Sequence, residues 1–241
     1  MRRTARPVIR LLALRRNIYS VGYCEPIRQH RYPPTSPGDH LNHPLFNDSL
    51  PDLLALASAR RDESFGNRIT YSPKVFIPLT FLCNDTCGYC TFAQPPARVE
   101  KLYLDPEDVL KIAKQGARQG CHEALFTLVE RPEDRYEVAR DWLRERGYDS
   151  TEHYVAEMAK LVIAETGLLP HANCGALTKA ELEQLRPFSP SQGTMIESIN
   201  PDLEAHRNAP DKVPDRRLAT LEAAGELQTP STPRILLRLP A

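Results

Sequence analysis

An α/β fold built on a parallel sheet follows from three features of this sequence. Short apolar runs of strand length alternate with longer stretches of helical periodicity, the helical stretches open on proline or acidic residues, and strand candidates recur five times. Such alternation calls for parallel strands joined by right-handed crossovers. Periodicity leaves open whether the sheet is flat or curled into a barrel. At 241 residues and 41% apolar composition the chain can bury a full-sized core, which predicts one large domain with or without an arm.

In chain order, the first 24 residues carry six arginines and no acid, and read as an organelle-targeting presequence or as a basic arm. Of 22 prolines, six fall between Pro26 and Pro51, where neither a continuous helix nor a central strand can form. Residues 1–52 are therefore predicted to be a basic, proline-rich arm and linker, disordered or targeting, and residues 53–241 the folded core. A helix is expected in "LPDLLALASARRDESFG" around Leu53. Strands are expected at 75–79, 123–128, 168–171, 194–198 and 235–239. Helices are expected at 106–119, 135–146, 151–165, 178–185 and 215–224. Lysine plus arginine equals aspartate plus glutamate at 31 each, so no global field recruits nucleic acid or an anionic membrane, and small-molecule partners are favoured. No apolar run approaches the roughly 18 residues of a membrane span. Six cysteines, unevenly spread, argue for a reducing, cytoplasmic setting over a disulfide framework.

Cys83, Cys87 and Cys90 form C-x3-C-x2-C in "FLCNDTCGYCTFA", straight after the first strand candidate. Three thiolates on one loop leave a metal centre one ligand short, which suits an iron–sulfur cube with one open iron better than a closed structural zinc site. A zinc knuckle completed by Cys121 or His122, and three ordinary thiols, are the alternatives. Gly88 is expected to let the loop curl. Tyr89 is either a core aromatic or a contact for a ligand on the open iron. In parallel α/β folds chemistry gathers at the carboxyl ends of strands. Thr127, Glu130, His171, Asn173, Glu197 and Asn200 all fall at such ends. Cys121 and Cys174 read as small apolar fillers.

C-x3-C-x-aromatic-C after the first strand resembles the signature of the radical S-adenosylmethionine (radical SAM) superfamily. The stretches "RITYSPKVFIPLTFLCNDTCGYCTFA", "RGYDSTEHYVAEMA" and "ETGLLPHANCGALTKAELEQLRPFSPSQGTMIES" are similar to FO synthase, and more narrowly to its CofG-type subunit or half. The resemblance implies a partial (βα)6 TIM-like barrel with an irregular N-terminal arm. It implies a 4Fe-4S cluster on Cys83, Cys87 and Cys90, and S-adenosyl-L-methionine chelated by the open iron and cleaved to a 5′-deoxyadenosyl radical. Tyr89 would lie by the adenine, Glu130 by the methionine amino group, and Glu197 by the ribose or methionine; His171 and Asn173 would face substrate. The implied reaction is a lyase cyclisation that forms 7,8-didemethyl-8-hydroxy-5-deazariboflavin (FO), for coenzyme F-420. Its substrate would be 5-amino-5-(4-hydroxybenzyl)-6-(D-ribitylimino)uracil, with loss of ammonia. A CofH-type partner enzyme would supply that substrate and a one-electron reductant would drive the cluster.

The chain departs from the family pattern at several points. Val129 stands where the family has a glycine before the acid, Cys174 replaces proline in the family's "PHxNPG", and Arg234, Arg238 and Pro240 occupy glycine positions of the fifth strand. These departures, with a last stretch "STPRILLRLPA", lead to the expectation of a C-terminally truncated barrel. They keep a second reading open, that of an inactive remnant that binds a cluster or zinc as an interaction module.

Overall fold

The computed structural model describes residues 48–127 and 130–236; the basic arm, most of the proline-rich linker, Val129, Arg238 and Pro240 lie outside them. The chain divides into two compact units, Met1–Thr70 and Tyr71–Ala241. In the first, helix α1 (Leu50–Phe65) opens where the Ser49 hydroxyl accepts the Asp52 N–H at 3.4 Å and Pro51 takes a first-turn position that needs no N–H donor.

The second unit alternates strand and helix. Its elements run β1 (Lys74–Pro78), α2 (Pro106–Arg118), β2 (Glu123–Thr127), α3 (Pro132–Arg135), α4 (Glu137–Glu145) and α5 (Thr151–Thr166). They continue with β3 (Leu169–Asn173), α6 (Lys179–Leu185), β4 (Ser191–Glu197), α7 (Pro214–Glu226) and β5 (Ser231–Ile235). The sheet is entirely parallel and its spatial order is β1-β2-β3-β4-β5. Because the order never reverses, successive right-handed crossovers return on the same side, and the helices cover one face while the other is left to line a cavity. This is the partial barrel wall that the sequence predicts.

Strand alternation sorts the two faces. Ile77, Ala124, Phe126 and Ala172 point to the helices and join Val109, Ala113, Val155, Ala159, Val162, Leu182 and Leu185 in one buried core. Local chemistry fixes the helix ends. Thr178 and Glu181 form a reciprocal capping box on α6, Ser150 caps α5 through the His153 N–H at 3.1 Å, and Gly167 closes α5 in the left-handed conformation. Cys174 sits in the core and Cys121 packs against it, as their reading as apolar fillers requires. Among the described residues no helix is long and apolar enough to cross a membrane.

Element ends shift by up to three residues, as for β4 at Ser191–Glu197 against 194–198, and two expected elements differ more. Residues 135–146 do not form one helix, because Tyr136 adopts extended angles (φ −113, ψ 116) and separates α3 from α4. The fifth strand lies at Ser231–Ile235, four residues before the expected 235–239, in register with Gln192–Glu197. Pro233 within it is tolerated because β5 is an outer strand of the described sheet.

Helix α2 meets β1 unusually closely. A Cβ on Gly116 would stand 2.5 Å from the Val75 Cβ, a contact no real side chain makes. Gly116→Ala should therefore destabilise the fold by about 1–3 kcal/mol, read as a lower urea midpoint at unchanged m-value.

Candidate functional site

The loop after β1 is held on several sides before any ligand is considered. Its backbone N–H groups at Thr86 and Gly88 donate to the carbonyls of Asn208 and Ala205, both at 2.8 Å, and Asn84 N–H donates to the Glu130 carbonyl at 2.7 Å. The Asp85 carboxylate accepts the Asp211 N–H at 3.1 Å, and the Asn84 amide donates to the Asp211 side chain at 2.9 Å. The cysteine loop thus rests on the segment between β4 and α7. Gly88 is not among the residues with positive φ, so the expected use of glycine-only angles does not occur; its N–H to the Ala205 carbonyl is what the loop uses.

The eight residues given a cluster, cofactor or substrate role in the sequence, Cys83, Cys87, Tyr89, Cys90, Glu130, His171, Asn173 and Glu197, line one cavity of about 350 Å³, together with the strand-end candidate Thr127. Asn200 does not join them and lies exposed beyond β4. A larger cleft of about 740 Å³ beside β1 and α2 contains none of the eight. The convergence, not the volume, locates the chemistry.

Three thiols face this cavity, and the Glu130 N–H points at the Cys83 sulfur at 3.4 Å, a donor suited to a thiolate. Burial above all, with the nearby Asp85 carboxylate, pushes the free Cys83 thiol up to about 12, and burial also raises Cys87. Ligation must therefore displace a proton. Among the described residues no three His, Cys, Asp or Glu side chains are gathered around a single ion point. Cys121 and His122, the proposed fourth zinc ligands, lie at the other end of the sheet: the Cys121 N–H bonds to Gly116 and the His122 N–H to Pro73, ahead of β1. Five strand residues, about 16 Å, separate that end from the cysteine loop. The donor set fits an open cluster.

Glu130 is 4% exposed and Arg217, on α7, is 1% exposed; the two form an ion pair. Arg217 also donates to the carbonyls of Met195 at 2.8 Å and Asp211 at 3.0 Å, and stands 4.0 Å from Asp85. The second Glu130 oxygen accepts the Ala176 N–H at 3.1 Å. Gly175 makes room for this carboxylate: it has φ +80, and a Cβ there would lie 2.1 Å from it. Glu197 forms a second node. A register shift between β4 and β5 leaves it with φ +62, and its carboxylate meets the Tyr89 hydroxyl and, at 2.7 Å, Lys212. His206 completes the node 3.0 Å from the Tyr89 oxygen. Arg217, Lys212, His206 and Asp85 were missed from sequence.

Comparison with known proteins agrees with this geometry. The family model described as "Radical SAM superfamily" matches residues 77–238. The chain is 46% identical over 209 residues to an FO synthase of Mycobacterium leprae, covering 79% of this chain and 24% of that protein. It is 47% identical over 204 residues to one of Nocardia farcinica, with the same coverages. It is 43% identical over 173 residues to a 7,8-didemethyl-8-hydroxy-5-deazariboflavin synthase of Methanopyrus kandleri, covering 70% and 52%. The chain thus spans about a quarter of the length of those FO synthases and about half of the Methanopyrus relative. Solved structures with a similar fold include methylornithine synthase (TM-score 0.56, 20% identity, 81% of this chain and 54% of that one). A HydG maturase of the [FeFe]-hydrogenase matches with TM-score 0.59 at 20% identity, covering 81% and 42%.

Two predictions follow from the charges. Glu130→Gln leaves Arg217 buried with only Asp85 nearby, and should cost about 3 kcal/mol; adding Arg217→Met should cost less than the sum of the single changes, as a double-mutant cycle in urea would read. Burial, then the Lys74 and Arg234 charges, lower the His171 pKa from 6.5 to about 4. Between those values the unfolded chain binds a proton that the folded one does not. Stability through His171 is therefore full above pH 6.5 and falls by on the order of 3 kcal/mol as pH drops toward 4. His171→Gln should flatten that slope in urea midpoints measured against pH.

Proposed function

We propose that this chain, which belongs to the radical SAM superfamily, acts as the FO-forming lyase of that superfamily. Members of the superfamily generally use a 4Fe-4S cluster and S-adenosyl-L-methionine. The single observation that carries the reading is the convergence of the three cysteines with Tyr89, Glu130, Glu197, His171 and Asn173 on one cavity, in a chain 43–47% identical to FO-forming enzymes.

In this reading Cys83, Cys87 and Cys90 ligate the cluster, and residues 53–241 form the module that carries it. When bound, the cluster and S-adenosylmethionine would together supply one-electron radical chemistry for removing a substrate hydrogen. The chain's own residues bind and orient. Glu130 and Glu197 offer acceptors to an ammonium group and to ribose hydroxyls, Lys212 meets a carboxylate, and Tyr89 flanks the adenine. Phe76, Leu125 and Met195 give the cavity an apolar wall that keeps water from the reacting carbon. His171 and Asn173 face the substrate. That substrate is the tyrosine-derived 5-amino-5-(4-hydroxybenzyl)-6-(D-ribitylimino)uracil, which cyclises to FO with loss of ammonia on the way to coenzyme F-420. A CofH-type partner enzyme makes the substrate, and a one-electron reductant is required. Balanced charge, and free cysteines among the described residues, support a cytoplasmic enzyme that engages neither nucleic acid nor membrane.

Anaerobic reconstitution should give a broad visible absorption and reductant-dependent conversion of S-adenosylmethionine to 5′-deoxyadenosine. Cys83→Ala/Cys87→Ala/Cys90→Ala should abolish both. An absorption that survives the triple change, or zinc in place of iron in the isolated protein, would sink the reading and favour the interaction module.

A further inference from the structure

Away from the cysteine loop, the inner face of the sheet carries neutral polar groups that cofactor binding does not use. Thr127 on β2 and Asn173 on β3 are register neighbours, and Leu125 pairs with His171 one layer below. Thr127 Oγ1 and Asn173 Oδ1 are buried without any hydrogen-bond partner. Buried polar atoms of folded proteins are paired in all but a few cases, so two orphans on one cavity wall need a reason. His171 is 6% exposed and spends its Nδ1 on Ser191 Oγ at 2.7 Å, which leaves Nε2 as its free nitrogen.

Gly193 on β4 is what uncovers them. A Cβ at Gly193 would stand 3.0 Å from Asn173 Oδ1 and 3.1 Å from His171 Nε2, so both atoms face the point that the missing side chain vacates. Gly193 has no positive φ and the backbone makes no demand for glycine there. Space is the remaining reason. The charges around this wall are largely matched: Lys74 with Glu123, Arg217 with Glu130, and Lys212 with Glu197. Arg234 also lines the cavity, from the exposed strand β5. Hydroxyl, carboxamide and neutral imidazole each donate and accept. A carboxylate only accepts and an ammonium only donates, whereas each hydroxyl of a polyol does both and matches this row.

We propose that Thr127, His171 and Asn173, left open by Gly193, form a subsite for a neutral hydroxylated chain, and that this subsite selects the ribityl-type chain of the substrate. The identity of the chain-bearing ligand rests on the proposed function; the subsite itself rests on the geometry. Discrimination comes from the cost of leaving these buried groups unpaired when a hydroxyl is missing.

The test is anaerobic equilibrium dialysis of the full reconstituted chain against 5-amino-6-(D-ribitylamino)uracil and its counterpart with an unhydroxylated pentyl chain. The wild-type protein should bind the ribityl compound about tenfold or more tightly than the pentyl one. Gly193→Ala and Asn173→Ala should each bring the two within about twofold, with a thermal melt identifying which variants are folded. Equal binding of both compounds by the wild type, no measurable binding of either, or an undiminished preference in a folded variant would overturn the subsite. The wild-type comparison decides even where a variant fails to fold. Formation of 5′-deoxyadenosine in the same preparation separates the two claims: preference without cleavage removes the radical reading and keeps the subsite, and cleavage without preference does the reverse.

Discussion

One buried guanidinium ties the site together. Arg217 leaves the first turn of α7, is 1% exposed, and reaches the Glu130 carboxylate after β2, the Met195 carbonyl on β4, the Asp211 carbonyl before α7, and the neighbourhood of Asp85 in the cysteine loop. An isolated charge at that depth would cost several kcal/mol, so its partners are obligatory. Because those partners come from separate elements, the guanidinium fixes the carboxyl ends of the strands relative to the cysteine loop. Thr220, the next buried residue of α7, continues the same role by accepting the Leu177 N–H at 3.0 Å and donating to the Leu177 carbonyl at 2.9 Å. The inward face of α7 is therefore built to hold loops, and only from Ala224 onward does it pack as core.

Around this anchor, Gly175 and Glu197 depart from ordinary geometry, as does Arg131 (φ +24) next to Glu130. Gly175 can reach φ +80 without a clash and leaves space for the Glu130 carboxylate. Glu197 has no such freedom. A glutamate at φ +62 carries a strain of about 1–3 kcal/mol, and the register shift beside it, the ion pair to Lys212 and the Tyr89 hydroxyl hold it there. The strain turns a carboxylate that would continue the strand pleat toward the cysteine loop. Tyr89 belongs to that loop and Lys212 to the segment beneath it, so the same contacts that offset the strain also seat the loop.

The parts of this arrangement legible in the sequence are those that local rules write. Cysteine spacing, the period of the strands, and the proline or acidic starts of the helices identified the sheet, the cysteine loop and the residues at strand ends. The misplaced fifth strand shows where such rules stop. Pro233 reads as a strand breaker, and only the pairing of β5 with β4 at the sheet's outer edge makes it acceptable. Arg217, Lys212 and His206 were equally hidden, because a basic residue near a helix start looks like a solvated one until the fold brings Glu130 and Glu197 to meet it. Gly193 left no signal: its value lies in what stands across the strand from it, not in its own backbone.

These pairings also explain how the cavity divides its work. At the end nearer the cysteine loop, Glu130 and Glu197 are each matched by a cation from the β4–α7 region, beside thiols whose burial favours the neutral form. A zwitterionic ligand can be met there by groups of both signs already in place. Deeper along the wall the Lys74–Glu123 pair keeps its charges for each other, and His171 is held uncharged by burial and by the cations near it. What remains in between is a short neutral surface with orphaned polar atoms, too polar to bind an apolar chain without loss and with little net charge to draw an ion. The same sheet thus offers charge at the strand ends and uncharged hydrogen bonding within, and the alternation of side chains along β2, β3 and β4 is what keeps both on the inner face.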